Sequence, residues 1–381
     1  MSRDRVPEAW FNSAGHLGSA AEPMLLHPGT RAPTRPDDLV HMLPVAVSFQ
    51  ELSTDPWVEI PGPVLDVLRR WRPTPLVRAT RMEAALATPA RIYFKDESVS
   101  PTGSHHPTTA APQVFYAKAD GAARVVTGSE TGQWGGALSS AAARFGVDAT
   151  VYTGPAVSAE ERIRIEMWGA SAVGSEMTAV DDALRDAATR PETRFTTGSL
   201  FNHVVLHQTV IGLEAREQLA RSGEDRPDVV IGYCGGGSSL AGTALPFVAD
   251  DEVRLVAVEP SSWPTLTGGR FGYVAGDSAG LLPLLAMYSL GADAVPPAVL
   301  APGLRAHGVA PLLCRLVRSG RMEAVAHPLD RVLAAGGQWA RTEGPVPALG
   351  TAHALRAVID EALMARESGE ERVILFCWSG R

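Results

Sequence analysis

Short, nearly continuous apolar runs separated by helix-length stretches are the feature that most constrains this chain. Val229-Val230-Ile231-Gly232-Tyr233, Val253-Arg254-Leu255-Val256-Ala257-Val258 and Arg372-Val373-Ile374-Leu375-Phe376 each read as a strand buried on both faces. Further strands are expected at 90–95, 124–127, 148–152 and 171–173. Helices are expected at 108–119, 135–145, 159–168 (capped by Ser158), 206–221, 238–249 and 351–367. Strands alternating with helices require parallel sheets covered on both faces, an α/β fold.

With 381 residues, 45% of them hydrophobic, the chain can build two domains around large cores. We divide it into an N-terminal extension (1–75) packed on the core, an N-terminal α/β domain (76–205, boundary approximate and open to crossing) and a C-terminal α/β domain (206–381). A net charge of -8 argues against nucleic acid as a partner. No apolar run approaches the roughly 20 residues that span a bilayer. The start, Met1-Ser2-Arg3-Asp4-Arg5, leads into polar sequence rather than an apolar leader. Cys234, Cys314 and Cys377 are too far apart for a Cys-x-x-Cys pair and suit a reducing cytoplasm.

Four segments are placed to carry chemistry. Cys234-Gly235-Gly236-Gly237-Ser238-Ser239 follows a buried strand and opens a helix, where converging backbone N–H groups favour a phosphate; close packing alone would also use such a turn. Ser129-Glu130-Thr131-Gly132-Gln133-Trp134 joins another strand to a helix and either binds a carboxylate on its N–H groups or is an ordinary turn. In Ser104-His105-His106 the adjacent histidines diverge, and no further ligand lies at metal spacing, so no metal is expected. One of the two is a candidate general acid or base, and a structural hydrogen-bonding role suits His105 equally. Ser379 follows the last strand, where parallel sheets present their ligand crevice, although a chain end can also fray.

Together these segments resemble the tryptophan synthase beta family, specifically its second, longer subgroup. Leu26-His27-Pro28-Gly29-Thr30, Arg72-Pro73-Thr74-Pro75-Leu76, Val258-Glu259-Pro260, Gly276-Asp277-Ser278-Ala279-Gly280-Leu281, Leu304-Arg305-Ala306-His307-Gly308 and Arg341-Thr342-Glu343-Gly344 carry the likeness along essentially the whole chain. The resemblance implies pyridoxal phosphate (PLP) fold type II, two doubly wound three-layer α/β domains with the site in the cleft between them, and a homodimer. It implies that Gly235, Gly236, Gly237, Ser238 and Ser239 hold the cofactor phosphate. Ser379 would face the pyridine nitrogen, and the loop of Ser129, Thr131, Gly132, Gln133 and Trp134 would hold the substrate carboxylate.

The departures from the family pattern cluster at the chemistry. Val99-Ser100-Pro101-Thr102-Gly103-Ser104-His105-His106 is similar to a family segment whose last residue is the Schiff-base lysine, and an imidazole has no primary amine. Thr108 stands where the family has an asparagine on the cofactor, and Pro107 lies between. Aligned without a gap, the family's catalytic glutamate falls on Gly128, and a carboxylate enters at Glu130, which either replaces the lost acid–base group or turns away. The chain has two lysines: Lys95, which the family also carries, and Lys118, about 18 Å along the helix from His106 at about 1.5 Å per residue.

The expectation is an enzyme of this fold repurposed for a PLP-independent acid–base reaction on a small molecule in specialised metabolism: a cyclisation, isomerisation, elimination or condensation. His106 and Glu130 would be the proton-handling groups, aided by His105. No covalent PLP is expected; non-covalent PLP or another phosphate-bearing ligand would sit on the glycine run. Two alternatives stay open: PLP-dependent tryptophan synthesis or serine dehydration with a non-covalent cofactor, and a non-catalytic pseudoenzyme or binding partner.

Overall fold

The computed structural model describes residues 5–16, 22–176, 178–297 and 302–380; Met1–Asp4 of the polar start and Arg381 of the C-terminal segment lie outside them. Ten strands build two sheets: β1 (Leu76–Arg78), β2 (Arg91–Asp96), β3 (Arg124–Ser129), β4 (Asp148–Thr153), β5 (Ser171–Gly174), β6 (Thr193–Phe195), β7 (Val229–Tyr233), β8 (Arg254–Pro260), β9 (Glu323–His327) and β10 (Val373–Trp378). The larger sheet has the order β9-β8-β7-β10-β2-β1 and is parallel except for β1. The smaller has the order β5-β4-β3-β6 and is parallel throughout.

β7 and β10 are buried over almost their whole length because helices cover both faces. Five helices matter for the site: α1 (Pro107–Ala119), α2 (Gln133–Phe145), α3 (Ala179–Thr189), α4 (Ser238–Ala244) and α5 (Leu349–Ser368). On one face of the large sheet, Trp339 packs edge-on against Phe94 and Phe376 at ring distances of 5.3 and 5.6 Å. On another face α4 approaches β7 so closely that a Cβ on Gly232 would lie 2.8 Å from Leu240 Cδ1. The C-terminal ends of β7, β10 and β3 all turn toward one cleft, the usual consequence of doubly wound parallel sheets.

The structure departs from the sequence expectations in three places. Strand β2 pairs with β10 and β1 pairs with β2, so residues 76–96 of the expected N-terminal unit, whose boundary was open to crossing, are built into the C-terminal sheet. The expected helix 206–221 is two helices, Asn202–Gln208 and Val210–Arg221, hinged at Thr209. The Thr209 hydroxyl there bonds Leu206 O at 2.7 Å and accepts Phe11 N–H at 3.0 Å. α4 stops after Ala244, because Pro246 has no N–H to continue the ladder. The extension wraps the core with its own strands, Ala9–Phe11 on Trp57–Glu59 and Leu25–Leu26 on Leu284–Ser289. Among the described residues, no helix is long and apolar enough to cross a membrane.

Beneath the start of α1 lies a fully buried set of charges. The Arg72 guanidinium reaches Glu214 at 2.8 Å and Glu97 at 2.7 Å, Lys95 Nζ lies 2.7 Å from Glu214, and none of the four side chains is exposed. Burial works against the charge on Arg72, but the two carboxylates outweigh it and raise its pKa. On Lys95 burial prevails and lowers the pKa. Glu214→Ala should strip both cations of a partner and cost about 3–5 kcal/mol, read as a lower urea midpoint without loss of the native circular dichroism spectrum.

Candidate functional site

A cavity of about 210 Å³ opens where the strand ends converge, and its walls include His105, His106, Ser129, Glu130, Thr131, Gln133, Trp134 and the run from Gly235 to Ser239. The glycine run forms one end. A Cβ on Gly235 would lie 2.0 Å from Gly303 O, one on Gly236 would lie 2.8 Å from Ser199 Oγ, and Gly237 has φ +96° with Leu313 Cδ1 at 2.5 Å from a Cβ. No side chain other than hydrogen fits these three positions. Their N–H groups find no acceptor among the described residues. A close backbone bearing unsatisfied donors is what a phosphate group requires.

His105 forms the floor. Its Nδ1 lies 2.7 Å from Ser379 Oγ, its Nε2 lies 3.1 Å from Ser238 Oγ, and its backbone N–H donates to Ser379 Oγ at 3.1 Å. Burial first, then the neighbouring His106 and Arg72, hold its pKa well below the ordinary value, so the ring is neutral. His106 precedes α1, stacked 4.2 Å from the His105 ring and 5.7 Å from that of Trp134. Burial brings its pKa down to about 4, and its Nδ1 is buried without a hydrogen-bond partner among the described residues. Trp134 is fixed by Nε1 donating to Thr127 Oγ1 at 2.7 Å.

The third wall is the 129–134 loop. Gly135 N–H donates to Ser129 Oγ at 3.1 Å, and Gly132 starts α2 with φ +81°. Glu130 is exposed, and its Oε1 accepts the N–H of Ala179 at 3.0 Å, capping the N-terminus of α3. Of the two arrangements the sequence leaves open for Glu130, replacing an acid–base group or turning away, this contact directs its carboxylate to α3. The same helix explains Gly128, where a Cβ would lie 2.3 Å from both Ala179 C and O. The start of α3 occupies the space that a glutamate at 128 would need.

Three expected site residues do not line the cavity. Thr108 Oγ1 instead accepts from the Arg72 guanidinium at 3.2 Å, because the first turn of α1 points it down into the buried charges, which corrects its expected cofactor contact. Ser379 is buried behind His105, and Gly132 faces Glu161, whose Cβ would be 2.8 Å from a Cβ on the glycine. The sequence reading missed Thr127, Val180, Phe195, Ser199, Ala306 and Tyr233, all in the walls. Tyr233, directly before the glycine run, was findable by position. Burial, then Cys377, raises its phenol to about 12, with the Ser379 and Ser239 hydroxyls acting the other way. No group of three or more His, Cys, Asp or Glu able to hold a metal occurs among the described residues.

The sequence model of the family described as "Pyridoxal-phosphate dependent enzyme" matches residues 67–380. Curated relatives named "Tryptophan synthase beta chain 2" align over the whole chain: 44% identical in Aquifex aeolicus, covering 94% of that protein, and 43% in Thermotoga maritima, covering 96%. The chain belongs to the tryptophan synthase beta chain 2 family. Among solved structures it resembles O-acetylserine sulfhydrylase isoform 3 from Entamoeba histolytica (TM-score 0.65, 16% identity, 84% of this chain and 88% of that one). It also resembles threonine deaminase isoform 2 from Solanum lycopersicum (0.64, 17%, 81% and 83%). The fold is PLP fold type II. Membership corrects the cofactor expectation: the family is described by its dependence on pyridoxal phosphate, so the inference of no covalent PLP, drawn from His106, does not stand. The glycine cradle fits the phosphate of that cofactor.

Two outcomes follow from this geometry. Gly237→Ala should abolish retention of a phosphate ligand while leaving the fold intact, since it must strain a positive φ and displace Leu313; isothermal titration with PLP checks this. His106 binds its proton less readily when folded, so the unfolded chain takes up more protons between the ordinary pKa of 6.5 and about 4. Its contribution is thus present above pH 6.5 and lost as pH falls toward 4. Urea midpoints measured across that window should fall less steeply for His106→Asn than for the native protein.

Proposed function

We propose that the cleft carries out PLP-dependent chemistry at the β-carbon of a small amino acid, as in tryptophan synthesis or serine dehydration. The observation that supports this most is the three-glycine cradle with unsatisfied N–H groups in a chain of this family. In this reading the N–H groups of Gly235, Gly236 and Gly237, with the Ser238 and Ser239 hydroxyls, hold the phosphate. When bound, the cofactor supplies an electron sink for charge developing at the amino acid's α-carbon. The 129–134 loop takes the substrate carboxylate on its backbone, and Trp134 closes the wall beside it.

His106 stands where the resemblance places a lysine, and its role here is proton transfer. A neutral imidazole with an unpartnered Nδ1 can accept a proton at that atom and return it. The expectation of a PLP-independent reaction gives way to this reading. The two lysines lie elsewhere: Lys95 in the buried charges, and Lys118 with its Nζ donating to Phe145 O on the surface. We read the protein as a cytoplasmic homodimer acting on small molecules.

The test is to saturate the protein with PLP, desalt it, record its visible spectrum, reduce with borohydride and take an intact mass. L-serine with and without indole is then supplied. Retained cofactor absorbance and formation of pyruvate or tryptophan are expected, with the mass locating the attachment. His106→Ala should lower turnover by about 10²–10⁴-fold. No retained absorbance and no product from either mixture would overturn the proposal.

A further inference from the structure

Through its two ring nitrogens His105 bridges Ser238 in the cavity wall and Ser379 buried behind it, and this has a consequence for any phosphate ligand. The residue is 3% exposed, Ser379 2% and Ser238 6%, so water does not satisfy these groups. A neutral imidazole carries one proton, on Nδ1 or on Nε2. Ser379 Oγ always spends one lone pair on the His105 backbone N–H. Its position is set further by Thr351, whose hydroxyl donates to Ser379 O at 2.8 Å.

With the proton on Nδ1, the ring donates to Ser379 Oγ and fills its second lone pair. The Ser379 hydroxyl proton is then no longer held by the ring. Bare Nε2 accepts the hydroxyl proton of Ser238, which leaves Ser238 only lone pairs to show a ligand. With the proton on Nε2, both ends reverse. The ring donates to Ser238 Oγ, whose own proton becomes available, while Ser379 donates to Nδ1 and can afterwards only accept.

The unprotonated oxygens of a phosphate only accept. We propose that a phosphate group seated on the Gly235–Ser239 loop selects the Nε2–H tautomer of His105, and thereby converts Ser379, buried behind the ring, from a hydrogen-bond donor into an acceptor. His105 is a positioning residue that transmits occupancy of the phosphate cradle across the floor of the cleft. By linkage, the coupling runs both ways: a ligand group donating to Ser379 should strengthen phosphate binding. The proposal rests on the phosphate-binding part of the proposed function.

The tautomer is read from two-bond proton–nitrogen NMR correlations of the full chain labelled with ¹⁵N-histidine, with His105 assigned by its absence in His105→Gln. Inorganic phosphate and PLP are the probes, and their binding is measured independently by quenching of tryptophan fluorescence. The expected result is a shift to the Nε2–H pattern on binding, absent in Ser238→Ala, and about fivefold weaker phosphate binding in Ser379→Ala. A general loss of packing would not move the tautomer in this directed way. Binding without a tautomer change, or a change that persists in Ser238→Ala, would overturn the coupling and leave the phosphate site standing. Absence of any binding by either probe would overturn the coupling and the proposed function together.

Discussion

Four buried charges carry the site. Arg72, Glu97, Glu214 and Lys95 sum to zero, and each finds at least one opposite partner within 2.8 Å, so the cost of taking them out of water is offset by short contacts in a weakly screening interior. The cluster is also an anchor. Arg72 comes from the end of the N-terminal extension, Glu97 and Lys95 from around β2, and Glu214 from the helix Val210–Arg221. Thr108, in the first turn of α1, is tied to it through Arg72. The two histidines that precede α1 therefore sit on a base that three separate parts of the chain must agree to build. Arg72 also lowers the pKa of His105, so the anchor helps keep the floor of the cleft uncharged.

The start of α3 shapes the opposite wall. Ala179 presses on Gly128, Glu130 caps the helix, Val180 lines the cavity, and Asp181 reaches across to accept the N–H groups of Ser278 and Ala279 at 3.0 and 3.3 Å. Burial opposes ionisation of Asp181, but the Ser278 and Thr178 hydroxyls and these two N–H groups outweigh it and hold the carboxyl below its usual range. One helix end thus engages two residues that look independent in the sequence. Glycine at 128 makes room for α3, and the carboxylate at 130 compensates the exposed N–H groups of the helix.

Strand positions were legible in the sequence because parallel strands covered on both faces are apolar along their buried length, as β7, β10 and the Leu255–Val258 stretch of β8 are. The glycine run was legible because only glycine meets its steric demands. What could not be read were facts of the third dimension. Nothing local in Arg91–Asp96 says that it pairs with β10 at the far end of the chain. The direction of Thr108 depends on where Arg72 lies, 36 residues earlier. That Glu130 meets the start of a helix 49 residues later is equally invisible in its own loop. The hinge at Thr209 was hidden because the apolar pattern runs through it unbroken.

Of the residues lining the cavity, Glu130 alone carries a formal charge, and it sits on the rim. His105 and His106 are held neutral by burial, and Tyr233 keeps its proton because burial raises its phenol to about 12. An anion entering such a site meets no lysine or arginine. It must be held by backbone N–H groups and hydroxyls whose dipoles are already oriented, which is a short-range form of recognition and demanding in geometry. That places the burden of binding on the three glycines and on the direction of a few hydroxyl protons. In a neutral cleft those directions are not incidental. With the one formal charge out on the rim, the hydrogen-bond sense of Ser238, set by the imidazole it touches, bears on which ligand atoms the cradle accepts.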